Sequence, residues 1–295
     1  MTSCPPTPVQ SSSSASFARR ALPVLGACWL ASLAAAHDHW IAPSSFRPEA
    51  DKRVDFELRI GHADAPELQL RDPRRIVRFE CFAATGAGAQ VLGLDGKSPA
   101  GLWKPKASGT YLVAYQSNHA YVELEPVAYA EYLKLEGLDD IAAERARRGE
   151  LAQSGRDSYA RFDKCLLTVG GEADPAGFER ALGLPLELVL ERDPRTLAPS
   201  AELVARLLLD GRPLAGRQVK LAALAAPHTL TLARTDAEGR VRFAAPRPGP
   251  YALFTVHQRR IEPGQALPGD WEGLFASFSF ELGPALAPGA PAPVR

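Results

Sequence analysis

From Arg53 onward this chain repeats one device. Short runs of three to eight residues, alternating apolar and polar most clearly at Arg53–Ile60, are separated by Gly, Pro, Asn or Asp turn signals. Alternation with period two puts one face of an extended segment in a core and leaves the other wet, so each run predicts a half-buried strand. Arg53–Ile60, Arg75–Phe82, Gln90–Leu94, Thr110–Tyr115 and Ala120–Leu124 fit this pattern, with turn signals at Gly61-His62, Asp95-Gly96, Ser108-Gly109 and Ser117-Asn118. A second series follows: Cys165–Val169, Leu186–Glu191, Leu203–Leu209, Gln218–Leu221, Thr229–Ala233, Val241–Phe243 and Tyr251–His257. Many short strands between tight turns specify a mainly β chain built as sandwiches.

The period changes once. Val127–Glu136, stopped by Gly137, and Leu138–Arg148, stopped by Gly149, read as helices. Asp157–Lys164 reads as one or two further helical turns, so a helical insertion is expected over 126–164. The expected organisation is two β-sandwich domains, 37–198 and 199–282. The Pro/Ala-rich tail over 283–295 is expected to be unstructured.

The first 36 residues have the parts of a secretory signal peptide. Arg19-Arg20 is followed by an apolar run to Ala36, with small residues at Ala34 and Ala36. Cleavage after Ala36 is the main expectation, and cleavage after Ala34 is an alternative. Leu25-Gly26-Ala27-Cys28 also resembles a lipobox, which would anchor the chain at Cys28. The apolar run falls short of the ~20 residues a membrane span needs, so no bilayer insertion is expected after cleavage. The expected location is the periplasm. Taking Arg19 and Arg20 from the 34 basic residues leaves 32 against 34 acids. Such a balance gives no field for nucleic acid or anionic lipid. Cys4 and Cys28 fall in the signal. Cys81 and Cys165 remain, either as a disulfide or as two buried thiols.

All six histidines lie after the expected cleavage site. Cleavage there makes His37 the first residue and gives it a free amine. Two metal sites then follow. In one, the amine, two amide nitrogens and the imidazole of His39 offer four planar nitrogens to Cu(II) or Ni(II). In the other, the His37 amine and imidazole form a chelate that a distant histidine completes. His62 and His119 suit that role, because each sits at a strand end of the same domain. The candidate metal ligands are therefore His37, His39, His62 and His119. His228 reads as a loop residue and His257 as structural. Tyr159, Arg161 and Lys164 are expected to pin the helical insertion to the sheet. The acidic run Asp139, Asp140 and Glu144 suits a helix start. No nucleophile–base motif indicates hydrolysis.

Two resemblances add to this reading. Gly211-x-Pro213-Leu214-Ala215-Gly216-x-x-Val219, Thr235-Asp236-x-x-Gly239-x-x-x-Phe243 and Pro248-Gly249-x-Tyr251 resemble the prealbumin-like or collagen-adhesin-like β-sandwich modules of exported proteins. Four further stretches resemble the domain-of-unknown-function 4198 family. They are His37–Pro43, Tyr132-Leu133…Glu136-Gly137-Leu138, Tyr159–Lys164 and Leu182–Glu187. This resemblance implies a periplasmic β-sandwich protein associated with nickel/cobalt-type uptake. The histidine pair departs from the family pattern, in which the second position often varies. The expected function is capture or delivery of Ni, Co or Cu for an uptake system, with a membrane transporter component as partner. The alternatives are a non-catalytic scaffold or interaction module of the cell envelope, and a histidine-brace copper oxygenase.

Overall fold

The computed structural model describes residues 1–2, 37–170, 177–198, 201–244 and 247–283. The expected leader from residue 3 to 36 and the expected tail from residue 284 lie outside the described residues. In chain order the strands begin with β1 (His39–Pro43), β2 (Val54–His62), β3 (Ala65–Gln69), β4 (Ile76–Ala83), β5 (Ala89–Gln90), β6 (Gly101–Trp103), β7 (Gly109–Ser117) and β8 (Ala120–Leu124). Helices α1 (Pro126–Leu135) and α2 (Asp139–Arg147) follow. The chain then runs through β9 (Gly155–Val169), β10 (Leu186–Leu190), β11 (Glu202–Leu209), β12 (Arg212–Pro213), β13 (Gln218–Ala223), β14 (Leu230–Arg234), β15 (Arg240–Ala244), β16 (Gly249–Arg260) and β17 (Trp271–Leu282).

The fold is mainly β, as the alternation predicts, and its sheets stack as sandwiches. The largest sheet has nine strands in the order β14-β13-β16-β17-β9-β7-β4-β5, with β8 also on β9. A small sheet of β1, β2, β3 and β6 and another of β10, β11, β12 and β15 accompany it. Strand β9 carries a side chain to each face in turn. Cys165 and Leu167 join Ile41, Phe56, Leu58 and Phe79 in one core. Phe162 and Leu166 join Leu188, Leu203, Leu253 and Phe278 in the other. Its two cores therefore lie on opposite sides of one strand.

This places Asp157–Lys164 in β9, a correction to the expected third helical segment. Among the described residues the helices are α1 and α2. Pro126 opens α1, where its missing N–H is no loss. Gly137, at φ +66°, ends it. The expected strand at Gln90–Leu94 shortens to β5 and one bridge, Leu92 to Leu102. The expected boundary at 198/199 falls between two paired strands, β10 and β11. The seam between the halves is the parallel pairing of β17 with β9, from Trp271 opposite Asp157 to Ser279 opposite Cys165. The two expected domains thus share one continuous sheet.

Cys81 and Cys165 are both free and buried, so the disulfide alternative fails. Both stand opposite Val113, one on each side of β7. Two strand spacings hold their backbones about 9–10 Å apart, beyond the ~7 Å a disulfide spans. Burial pushes the Cys165 thiol up to about 12 and Cys81 higher still, so neither is a reactive thiolate. Protein beginning at His37 should show two thiols to Ellman's reagent in denaturant without reductant, and none when native. Fewer than two in denaturant would contradict the register across β7.

Helix α1 is docked by a buried polar knot. The Tyr129 hydroxyl donates to Asp157 Oδ1 at 2.7 Å, and the Gln258 amide donates to Asp157 Oδ2. Burial outweighs both hydrogen bonds and pushes Asp157 up to about 7. The folded protein therefore holds this proton more tightly than the unfolded chain. The stabilising contribution is full below the unfolded value near 4, falls as pH rises through about 7, and stays lost above it. Asp157→Asn removes the charge. Its melting temperature relative to wild type should climb between pH 4.5 and pH 8. A difference that stays flat with pH would show that Asp157 is not protonated on folding.

Candidate metal site at His37

Three successive residues leading into β1 are gripped from two strands, His37 and His39 by β9 and Asp38 by β13. The main-chain carbonyl of His37 accepts from Arg161 Nη1 at 3.1 Å. Asp38 pairs with Lys220 Nζ at 2.6 Å, and Lys220 pairs in turn with Glu136 Oε1 at 2.9 Å. His39 Nδ1 meets Asp163 Oδ2 at 2.6 Å. Alternation on β9 explains two of these grips. Arg161 and Asp163 are two apart, so both project to the face that carries β1. Lys164 projects to the other face, where it meets Glu187 at 2.8 Å. The four stretches that carried the family resemblance thus converge in space. Burial alone would lower Lys220, but the carboxylates of Asp38 and Glu136 outweigh it and raise its pKa. Glu136 is raised by its own burial, against the pull of Lys220.

The register of β1 on β2 selects the histidine that faces His37. His39 stands opposite Ile60, and the Gly61 amide donates to Asp38 O at 2.9 Å. Continuing one step sets His37 opposite His62, at the range where cross-strand side chains meet. Their ring centroids are 5.5 Å apart with the planes tilted by 54°. With metal–nitrogen bonds of about 2 Å, two imidazoles on one ion have centres roughly 4.5–6.5 Å apart, so the pair needs little movement to share one. His62 sits at the end of β2, where Ala63-Asp64 turns the chain into β3. Gly61 makes that turn possible. Its φ of +116° disfavours any side chain, and a Cβ there would lie 3.3 Å from Ala65 O. His62 is exposed and His37 half-buried, so the pair is open to solvent. Partial burial, then the neighbouring His62, lowers the His37 pKa. That favours the neutral imidazole, the form that binds metal.

His39 and His119 are not brought to this point. The His39 ring is buried against β9 and lies 5.6 Å from the Tyr115 ring. Burial lowers its pKa despite Asp163, so it is a neutral ring donating Nδ1–H to that carboxylate. It does not turn back to the His37 main chain, and the planar four-nitrogen arrangement is set aside. His119 is held at the β7–β8 turn by Glu272 Oε1, 2.9 Å away. His228 bonds to Ala223 O in a loop, and His257 lies within β16. The acidic run on α2 is paired: Asp139 with Arg234, Asp140 with Arg217, and Glu144 with Arg147 and Arg148. Among the described residues no three His, Cys, Asp or Glu side chains converge as a metal-binding group. Side chains alone supply two nitrogens at His37 and His62. A third can come from the main chain, as the amine of a processed His37.

Residues 34–259 match the family described as Domain of unknown function (DUF4198), and the chain belongs to that family. No curated protein sequence matches the chain. Among solved structures, the D0-D1 domain of Intimin aligns over 82% of this chain and 97% of its own, with 9% identity and a TM-score of 0.20. Escherichia coli alpha-2-macroglobulin activated by porcine elastase aligns over 84% of this chain and 20% of its own, with 12% identity and a TM-score of 0.21. Likenesses this slight carry no argument about this chain. No helix among the described residues is long and apolar enough to cross a membrane.

Proposed function

We propose that this is an exported metal-handling protein of the periplasm whose mature chain begins at His37. One divalent late transition ion is held by the His37 amine, the His37 imidazole and the His62 imidazole. The observation that carries this reading is the 5.5 Å approach of the two rings across β1 and β2. The grip of Arg161 on His37 O supports it, because a terminus whose carbonyl is anchored loses little freedom on closing a chelate. Three nitrogens favour copper over nickel and cobalt by the usual affinity order. An ion held at an exposed hairpin can be passed on, which suits capture and delivery to a membrane transporter component. Protein exported by its own signal should begin at His37 by N-terminal sequencing and carry about one equivalent of bound metal. A terminus that begins elsewhere, or a correct terminus with no affinity for copper or nickel, overturns the reading.

The same two-imidazole-plus-amine set favours a second reading, a histidine-brace copper oxygenase. Copper-loaded protein that cleaves a polysaccharide when supplied with peroxide would favour it over delivery. Copper that passes to an acceptor chelator without turnover would favour delivery.

A further inference from the structure

A cavity of about 430 Å³ opens on the β9 face that also grips β1, and its wall includes Arg75, Arg161, Tyr115, Tyr159 and Asp72. Its electrostatics are unbalanced. Arg161 is only 4% exposed. A guanidinium has five N–H donors, yet the side chain of Arg161 donates one hydrogen bond, to His37 O. No carboxylate pairs with it among the described residues. Its other neighbours are the rings of Tyr159 and Phe275, each 5.5 Å away. Arg75 donates to the neutral Asn118 Oδ1 at 2.8 Å and lies 5.9 Å from the same Tyr159 ring. It too has no carboxylate partner among the described residues. The acid on the wall, Asp72, is taken by Arg74 at 2.9 and 3.0 Å. Two guanidinium groups therefore share a wall whose one acid is already paired, and Asp163, the carboxylate two residues along β9 from Arg161, is held by His39 and Ser277. A buried cation without an anion is costly to keep, and protein cores rarely keep one unless something pairs with it.

The rest of the wall narrows the ligand. Ile60, Tyr115 and Tyr159 give it apolar and aromatic surface, which suits a carbon skeleton better than a fully hydrated inorganic ion. Guanidinium forks match carboxylates in a two-point geometry. We propose that this cavity binds a small organic dicarboxylate, one carboxylate on Arg161 and the other on Arg75. The bound anion lies beside the residue whose carbonyl Arg161 also holds, so its occupancy and the order of the His37 terminus are coupled through one side chain.

The assignment stands apart from the metal reading and is tested without metal. Exported protein, stripped on a chelating resin, is titrated calorimetrically with succinate, citrate and inorganic phosphate at constant ionic strength. Saturable binding of succinate or citrate, tighter than that of phosphate, is expected. Arg75→Gln and Arg161→Gln should each weaken it by about 10-fold or more, the usual effect of losing a charge-assisted hydrogen bond. Lys104→Gln, at an exposed site outside the cavity, should leave it unchanged. Should Arg161→Gln fail to fold, the more exposed Arg75→Gln decides alone. No saturable binding, phosphate bound as tightly as the dicarboxylates, or an equal loss in Arg75→Gln and Lys104→Gln each overturns the proposal.

Discussion

His62→Ala should lower the copper affinity of the mature protein by at least about a hundredfold. Even a partner that merely orients a metal ligand is worth about 10–100-fold, and here a ligand itself is lost. One extra residue ahead of His37 should do comparable damage, because it converts the chelating amine to an amide. His119→Ala should change nothing, since that ring is committed to Glu272. His39→Ala should act on the fold and not on affinity, because it strips Asp163 of a buried partner. Competition against a chelator of known affinity gives the constants, and the copper spectrum counts the nitrogens. Wild-type affinity in His62→Ala would remove the cross-strand pair from the site. Wild-type affinity with the extra residue would remove the amine.

Lys164→Met should destabilise the protein by roughly 3–5 kcal/mol, the usual result of breaking a buried ion pair from one side. Lys164 and Glu187 are each 1–2% exposed at the side chain. The lysine also donates to Leu188 O at 3.0 Å and to Arg180 O at 3.1 Å. Glu187 further accepts the amides of Leu182, Gly183 and Leu184 at 2.7, 2.9 and 3.1 Å. Without the ammonium, a carboxylate stays buried with no opposing charge. Domains hold only about 5–15 kcal/mol in total, so this single change should bring the protein close to unfolding. The double variant Lys164→Met/Glu187→Gln should recover part of the loss, because the remaining amide needs no counter-ion. Urea unfolding of the wild type and the two variants measures this. A loss below about 1 kcal/mol in Lys164→Met would mean the pair is open to water.

Strands with one wet face were legible in the sequence. In β2, Val54, Phe56 and Leu58 are buried while Asp55 and Glu57 are half-exposed, and that alternation can be read directly. Strand β9 hides its period because nearly every residue is buried, including Asp157, Arg161, Asp163 and Lys164. Charges in a short run suggest a solvated helix face. Here Arg161 and Asp163 are matched by His37 and His39, each 124 residues away, and no local rule names such a partner. Strand β17 had a signal, since Phe278, Phe280 and Leu282 alternate with Ser279 and Glu281 just before Gly283. Its parallel partner was not written there. At the site, the cleavage rule pointed to His37. The choice of His62 over His39 and His119 needed the register of β1 on β2, which follows only once Ile60 is set opposite His39.

The seam between β9 and β17 bears on how the chain can fold while it is being made. Both long edges of β9 are in use: β7 and β8 take one and β17 the other. A nascent chain that has emerged only as far as β16 presents β9 with a bare edge of unpaired N–H and C=O groups, of the kind that templates aggregation. The N-terminal half cannot finish ahead of the C-terminal half, so domain-by-domain rescue during synthesis is closed to it. Completion depends on pairing strands more than a hundred residues apart, a slow kind of search. Such a chain leaves one edge of β9 unpaired until its last strand is available.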